Sequence, residues 1–488
     1  MGELEGTLFP LDFNHSLRIE ARQERLTADA GVLLMRELSE TIGLPGLVAK
    51  HLRDSRDPAT VTHPFLELIH TRVLALTQGW GDQNDVGLLQ ADPAFRLAVS
   101  ERRGQAPLRP ARGGQRAPDG LCSQPTLSRL MRTLGEPDNR DGLGILVRES
   151  ARRFLGLPRR EITLDLDSLP IEVHGHQPGS AYNGHYGIRC YHPLVASVDE
   201  RFFLGAQLRE GKAHTASGGL AFVLPLLRWL KALVPRVWLR ADAGFPQAAF
   251  LDALEAEGVP YVCRLRSNAV LEQLADPHLR RPAGRPPAEG RTWLHELRYQ
   301  AASWSRERRV VLVVLERADA QQHLFLDHFF LLTSASPDKE SATALLERYR
   351  QRGSAESDYG DCNTALAPAL SSAPRLKSHY RGYVLANAAE PVDSFAVNEA
   401  ELLICLLAAN LMAAGAELLR RDGHARMSRE RFRTFLLKTA ARVLLGHRRV
   451  TVVIDAARAH LWRSFRSGLL ALQRARGSPR SVALPAQP

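Results

Sequence analysis

At Glu161 the hydrophobic period of this chain changes, and the change restricts the folds open to it. Upstream, apolar residues recur at helical intervals in TADAGVLLMRELSETIGLPGLVAKHL and in HPFLELIHTRVLALTQGW, where Leu66, Ile69, Val73 and Leu76 share one side of a helix. Downstream, ITLDLDSLPIEV, YHPLVASVD and RFFLGAQLRE carry strand patterning. GGLAFVLPLLRWLKALV then reads as a helix, PRVWLRADAG as a strand, FPQAAFLDALEAEG as a helix and VPYVCRLRS as a strand. The fold class is therefore α/β.

Three strands followed by helix, strand, helix and strand is the element order of a ribonuclease-H-like core. Residues 268–338 then break the rhythm with the Pro- and Arg-rich RRPAGRPPAEGR and two extended apolar runs, RRVVLVVLERA and HLFLDHFFLLTSA, which read as a β-rich insertion. Helices return at Lys339 and dominate to about Ala471, ahead of a tail, SPRSVALPAQP, with the composition of a disordered segment. With 488 residues, 44% of them hydrophobic, the chain is expected to form two to four packed units. Leu402–Ala416 is the nearest approach to a membrane span, but it is short and interrupted by Asn410, so it reads as a buried helix. The N-terminus lacks a secretion signal, and five scattered cysteines suit a reducing cytoplasm.

The net charge of +11 is concentrated. Residues 411–488 hold 16 Lys and Arg against 4 Asp and Glu, and residues 101–160 hold 13 Arg against 6 acids, so two basic stretches point to a polyanion partner. In the second stretch an Arg-, Gly- and Pro-rich loop, Gly104–Gly120, leads into SQPTLSRLMRTLG, where Ser123 can cap a helix presenting Arg129 and Arg132, as in the recognition half of a helix-turn-helix.

Three carboxylates stand where a two-metal phosphodiester enzyme needs them, converging from different elements. Asp167 ends an apolar strand two residues after Asp165, so both lie on the same strand face and Asp165 is the alternative first ligand. Asp242 leaves the strand VWLRA just before Gly244, at a carboxyl-terminal strand end of the kind that binds ligands in α/β sheets. In ERYRQRGSAESDYGDCN, Tyr349, Arg352, Glu356 and Asn363 fall at offsets of 0, 3, 7 and 14, one helix face carrying phosphate-binding groups beside a metal ligand, with Gly353 a source of local distortion. His174, His176, His185, Cys190 and His192 match no zinc spacing and read as substrate contacts near Asp167. Trp293 and Trp304 read as core residues of the insertion, with base stacking as the alternative.

Asp167-Ser168, LRADAGF around Asp242 and Tyr349-x2-Arg352-x3-Glu356 resemble the DDE transposases of bacterial insertion sequences. The likeness is to the branch of insertion sequence thirteen-eighty, related to the insertion-sequence-four group, whose helix carries a lysine where this chain has Asn363. It extends through QGWGDQNDVGLLQADPAF, SQPTLSRL, VHGHQPGSAYNGHYGIRCYHPL and FLLKTAARVLLGHRRV. The resemblance implies cut-and-paste transposition at the element's terminal inverted repeats. It further implies two Mg²⁺ ions, with Mn²⁺ as a substitute, held by Asp167, Asp242 and Glu356, and a phosphate clamp of Tyr349 and Arg352.

On this reading the chain divides into a helical N-terminal DNA-binding region (1–155), the first part of the core (156–267), the insertion (268–338), the end of the core with the glutamate helix (339–400), and a helical basic C-terminal region with the tail (401–488). Arg129, Arg132, Lys438, Arg442, Arg448 and Arg449 are the DNA contacts expected outside the site. The expected partners are the terminal repeats, target DNA and a second copy in a synaptic homodimer, with no membrane and a cytoplasmic, nucleoid-associated location. Two rivals are a DNA-binding regulator with an inactive core and a ribonuclease-H-like nuclease that cuts without strand transfer.

Overall fold

A computed structural model describes residues 7–109, 120–199, 201–281, 283, 290–318, 324–373 and 393–477. The chain forms two compact units, one of residues 42–55 and 129–414, the other of residues 1–41, 56–128 and 415–488. The tail SPRSVALPAQP and most of the Gly104–Gly120 loop, both read from sequence as irregular, lie outside the described residues, as does most of RRPAGRPPAEGR.

The first unit is built on one eight-stranded mixed sheet. Its strands are β1 (Glu161–Ser168), β2 (Leu194–Val198), β3 (Phe202–Gln207), β4 (Arg236–Ala241), β5 (Tyr261–Leu265), β6 (Arg291–Tyr299), β7 (Arg308–Ala318) and β8 (Leu324–Thr333), in the spatial order β6-β7-β8-β5-β4-β1-β2-β3. The middle three, β1, β4 and β5, are parallel, with β2-β3 added antiparallel on one side and β6-β7-β8 on the other. Helix α1 (Gly219–Lys231) joins β3 to β4, and α2 (Ala248–Ala256) carries the crossover from β4 to β5. These are the seven core elements expected from the sequence. Parallel strands put their carboxyl ends on one edge of the sheet, and β1 and β4 bring Asp167 and Asp242 to that edge.

The β-rich insertion is not a separate sheet. β8 pairs with β5 in the register Val262↔Thr333 to Leu265↔Phe330, so its strands extend the core sheet. β7 pairs with β6 and β8 along its two edges, and Val310–Leu315 are all buried, so both of its faces are covered there. β6 escaped the sequence reading since its residues are mostly half-exposed and its pattern is weakly apolar.

Helix α3 (Ala342–Arg350) and α4 (Arg352–Leu366) replace the single helix expected through Glu356. The helical path is interrupted at Gln351, two residues before the glycine expected to disturb it. Beyond them α5 (Ser394–Arg421) runs 28 residues, longer than the apolar stretch read from sequence. It is the one helix among the described residues long and apolar enough to cross a membrane, and its most apolar stretch is wholly buried in protein. Asn410 explains the polar interruption: its Oδ1 accepts from the Phe203 amide at 2.8 Å, while Nδ2 donates to the carbonyls of Phe203 and Val147, both at 2.9 Å.

The second unit corrects the two terminal regions read as helical. Helices such as Phe65–Gln78 and Ala459–Gly477 are present, but β9 (Ala441–Leu445) and β10 (Val450–Ile454) form a hairpin, and Leu26–Thr27 pairs with β9 to complete a three-stranded sheet. The β-branched run VTVVI was a legible strand signal. The pairing of Leu26–Thr27 was not, because its partner lies more than 400 residues away.

Replacing Asn410 with leucine keeps the volume and adds apolarity, yet removes the side-chain bonds to the Phe203 amide and carbonyl. Asn410→Leu is therefore expected to lose about 1–3 kcal/mol of stability, read as a lower urea midpoint. An unchanged midpoint would show that these groups find other partners.

Candidate active site

The site is assembled by three tracks of side chains at matching intervals. On β1, Glu161, Thr163, Asp165 and Asp167 share one face, and on β4, Trp238 and Arg240 lead to Asp242. Parallel register sets Trp238 opposite Thr163 and Arg240 opposite Asp165, so the next step along both strands brings Asp242 level with Asp167. The third track is Arg348, Arg352 and Glu356, spaced four residues apart across the α3–α4 junction.

Buried ion pairs join the tracks beneath the carboxylates. Arg240, 2% exposed, holds Asp165 through two hydrogen bonds, Nε to Oδ1 at 2.5 Å and Nη2 to Oδ2 at 2.9 Å, and its Nη1 donates to the Arg348 carbonyl at the end of α3. Arg348 in turn pairs with Glu161 at 2.8 Å and Glu340 at 3.0 Å and lies 4.1 Å above the Trp238 ring. Asp165 is thus committed to Arg240. Among the two aspartates of β1, Asp167 is the one that faces the other carboxylates.

Asp167 is 6% exposed and accepts from the Ser168 amide at 2.8 Å and from Arg352 Nη2 at 2.7 Å. Burial pushes its carboxyl up to about 6, and the charges of Asp242 and Glu356 add to the rise, while Arg352 and the Ser168 amide oppose it. Those charges identify the three carboxylates as neighbours. Asp242 accepts from the Gly244 amide at 2.7 Å, and a side chain at Gly244 would meet Thr215 at 2.6 Å, so glycine is required at that turn. Arg209 holds the loop bearing Thr215 by donating to the carbonyls of His214, Thr215 and Ser217 at 2.8–3.0 Å.

The break at Gln351 divides the expected phosphate-binding face. Tyr349 ends α3, half-buried beside Phe329, whereas Arg352 begins α4 and bonds both Asp167 and Glu356. Ala355, Tyr359 and Cys362 turn inward, with the Tyr359 hydroxyl 2.9 Å from Ser197 Oγ, and Glu356 and Asn363 stay exposed on the other side.

Beside Asp242 an open cleft of about 540 Å³ is lined by His185, Arg264, Arg266, His328, Tyr349 and Arg352. Arg264 and Arg266 stand at the end of β5 and were not singled out from sequence, although CRLRS after an apolar strand held the signal. Of the histidine cluster, His185 reaches the cleft, while His174 and His176 are exposed elsewhere and Cys190 is buried. Trp304 is core, packed edge-on to Tyr299, and Trp293 is half-buried beside a second cleft.

The basic residues expected to meet DNA lie apart from these carboxylates in sequence and are not part of the cleft. Arg129 and Arg132 are exposed on the helix Gln124–Leu134, and Arg448 and Arg449 are exposed in the loop joining β9 and β10. Arg442 lies 3.7 Å from Glu24. Lys438 pairs with buried Asp29 at 2.6 Å and lies over Trp80, so its charge is already balanced inside the protein.

Carboxylates are the donors that hard divalent cations take, and a buried carboxylate raised by its acidic neighbours is stabilised by a cation between them. The donor set of Asp167, Asp242 and Glu356 therefore fits such ions. Among the described residues no three acidic, histidine or cysteine side chains are already gathered around one point, because Arg352 bridges Asp167 and Glu356 and supplies the positive charge itself.

The profile of a family described as transposase DDE domain group 1 matches residues 9–476. Among curated proteins nothing matches the chain.

Removing Arg240 would take from the buried Asp165 carboxylate its two charge-assisted hydrogen bonds. Arg240→Leu is expected to lose about 3–5 kcal/mol, and Arg240→Leu with Asp165→Leu to recover most of it. Chemical denaturation of the two variants checks this; equal losses would show that the pair does not act as a unit.

Proposed function

This chain belongs to the transposase DDE domain group 1 family, whose members are DNA-cleaving, metal-dependent enzymes, and on that premise we propose that it moves its own insertion sequence by cutting at the terminal inverted repeats and joining the freed ends to target DNA. Asp167, Asp242 and Glu356 are the proposed metal ligands and catalytic residues. The observation that carries the reading is the arrangement at Asp167: a strand-end carboxylate raised by burial and further by two acidic neighbours, and bonded to Arg352 at the mouth of a cationic cleft.

Two Mg²⁺ ions, or Mn²⁺ in their place, would supply the acidity that makes water or a 3′-hydroxyl a nucleophile and would neutralise the leaving oxygen. The protein's own groups do the positioning. Arg352 reaches both the carboxylates and the cleft, so its planar fork can hold a phosphate beside them and bear charge that develops there. Burial keeps the Tyr349 hydroxyl protonated, so it serves as a hydrogen-bond donor to the same phosphate. Arg264 and Arg266 extend the cationic wall along the backbone path.

The order of β1 to β5 with its two helical crossovers supports a ribonuclease-H-like core, and the Tyr349, Arg352 and Glu356 spacing supports the branch of insertion sequence thirteen-eighty. Arg129, Arg132, Arg442, Arg448, Arg449 and, once freed from Asp29, Lys438 bind DNA ends through phosphates. The functional form is a homodimer on two ends, in the cytoplasm at the nucleoid. The division at residues 155, 267, 338 and 400 stands as a functional partition, with 268–338 contributing its strands to the core sheet.

A supercoiled plasmid carrying the element's terminal repeats, incubated with Mg²⁺, tests the proposal. Wild type should give double-strand breaks and joined products, both lost with a chelator. Asp167→Asn, Asp242→Asn and Glu356→Gln should each lower the rate at least about 10²–10³-fold, and Arg352→Lys at least about tenfold. Asp165→Asn should retain cutting at reduced stability. Cutting without joining would make the protein a nuclease, and tight binding without cutting a DNA-binding regulator.

A further inference from the structure

β10 is an edge without the usual protection. It pairs with β9 on one side only, and among the described residues no backbone group of Val450–Ile454 has a hydrogen-bond partner across the other side. Edge strands are ordinarily blunted by a charge, a proline or a bulge. The sequence VTVVI has neither charge nor proline, and its register with β9 runs unbroken from Ala441↔Ile454 to Leu445↔Val450. The outward face of the same sheet exposes Val453 (44%), Leu444 (40%) and Leu26 (61%), with Arg442 between Leu26 and Val453 and Thr451 beside Leu444.

The ends of the strand make this edge complementary to itself. Antiparallel residues that face each other point to the same side of a sheet, so a two-fold axis through a pair of identical edges must fall on a residue. With the axis on Val452, Val450 meets the partner's Ile454, Thr451 meets the partner's Val453, and Arg449 meets the partner's Asp455. Moving the axis to Thr451 or Val453 sets Arg449 against Val453 or Ala457 and leaves both charges unmatched. Arg449 and Asp455 are exposed and free of ion pairs among the described residues.

We propose that β10 is the docking site for a second copy of this chain, joining two three-stranded sheets into one of six strands, with an Arg449–Asp455 pair at each end. Arg449 can leave that pair for a DNA phosphate, and Arg448 beside it is exposed in either case. The pairing does not rest on the catalytic reading and requires no DNA. Five residues a side are few against the roughly 800 Å² per partner of a standard interface, so the contact is expected to be micromolar.

Sedimentation velocity of the full chain without DNA, over about 1–100 µM, tests it. Wild type should pass from monomer to dimer in this range. Arg449→Asp and Asp455→Arg should each move the midpoint at least about tenfold higher, and the double substitution should return it to within about threefold of wild type. A monomer throughout overturns the proposal, as does a dimer that none of the variants weakens. Equal weakening in single and double variants also overturns it, because restoring opposite charges across the axis would then contribute nothing; weakening in Asp455→Arg alone would belong to the lost bond from the Ala457 amide to Asp455 at 3.0 Å and overturns it too.

Discussion

A guanidinium with 2% of its surface in water must be enclosed by acceptors, and the acceptors around Arg240 come from two other elements that carry the candidate site. Asp165 belongs to β1, Arg240 to β4, and the Arg348 carbonyl to the end of α3. Asp167 and Asp242 lie two residues beyond Asp165 and Arg240 on their strands, and Arg352 four beyond Arg348. Fixing the buried pair therefore fixes where the outer carboxylates and the arginine emerge. An apolar pair of similar volume would serve stability nearly as well. It would not dictate the relative height of two strands and a helix, since apolar contacts have no preferred direction.

The electrostatics of the outer layer follow from this placement. Asp167 is held where water is scarce and among acidic neighbours, and burial first, then those charges, raise its pKa. Arg352 relieves it by bonding Asp167 and Glu356 at once. The same arginine borders a cleft whose far wall bears Arg264 and Arg266, so anionic and cationic groups meet along one edge of the sheet. That edge suits a polyanion approaching together with divalent cations.

Much of the core was legible because apolar period follows strand and helix directly. β1 to β5 and their two crossovers fall where the alternation and the long apolar runs put them. The helix of Tyr349, Arg352 and Glu356 was only half legible: spacing alone sets them on one face, whereas the break at Gln351 places Tyr349 against Phe329 and turns Arg352 toward Asp167. Arg240 could have been found. A charged residue inside VWLRA needs a partner, and Asp165 stands at the same distance before Asp167 as Arg240 before Asp242. Lys438 could not, since the buried aspartate that engages it lies some four hundred residues earlier.

Periodicity and chemical character are local properties of a chain, so the α/β class, the strand ends bearing Asp167 and Asp242, and the residue types fit to hold a cation and a phosphate were all readable in the order of residues. The pairing of Asp165 with Arg240, the extension of the core sheet by residues 268–338 and the β-sheet shared by the terminal regions came instead from the folded chain. Each of those outcomes depends on pairing between segments far apart in sequence. Hydrogen-bond register and buried charge neutralisation select such pairs, and neither leaves a mark within a single segment.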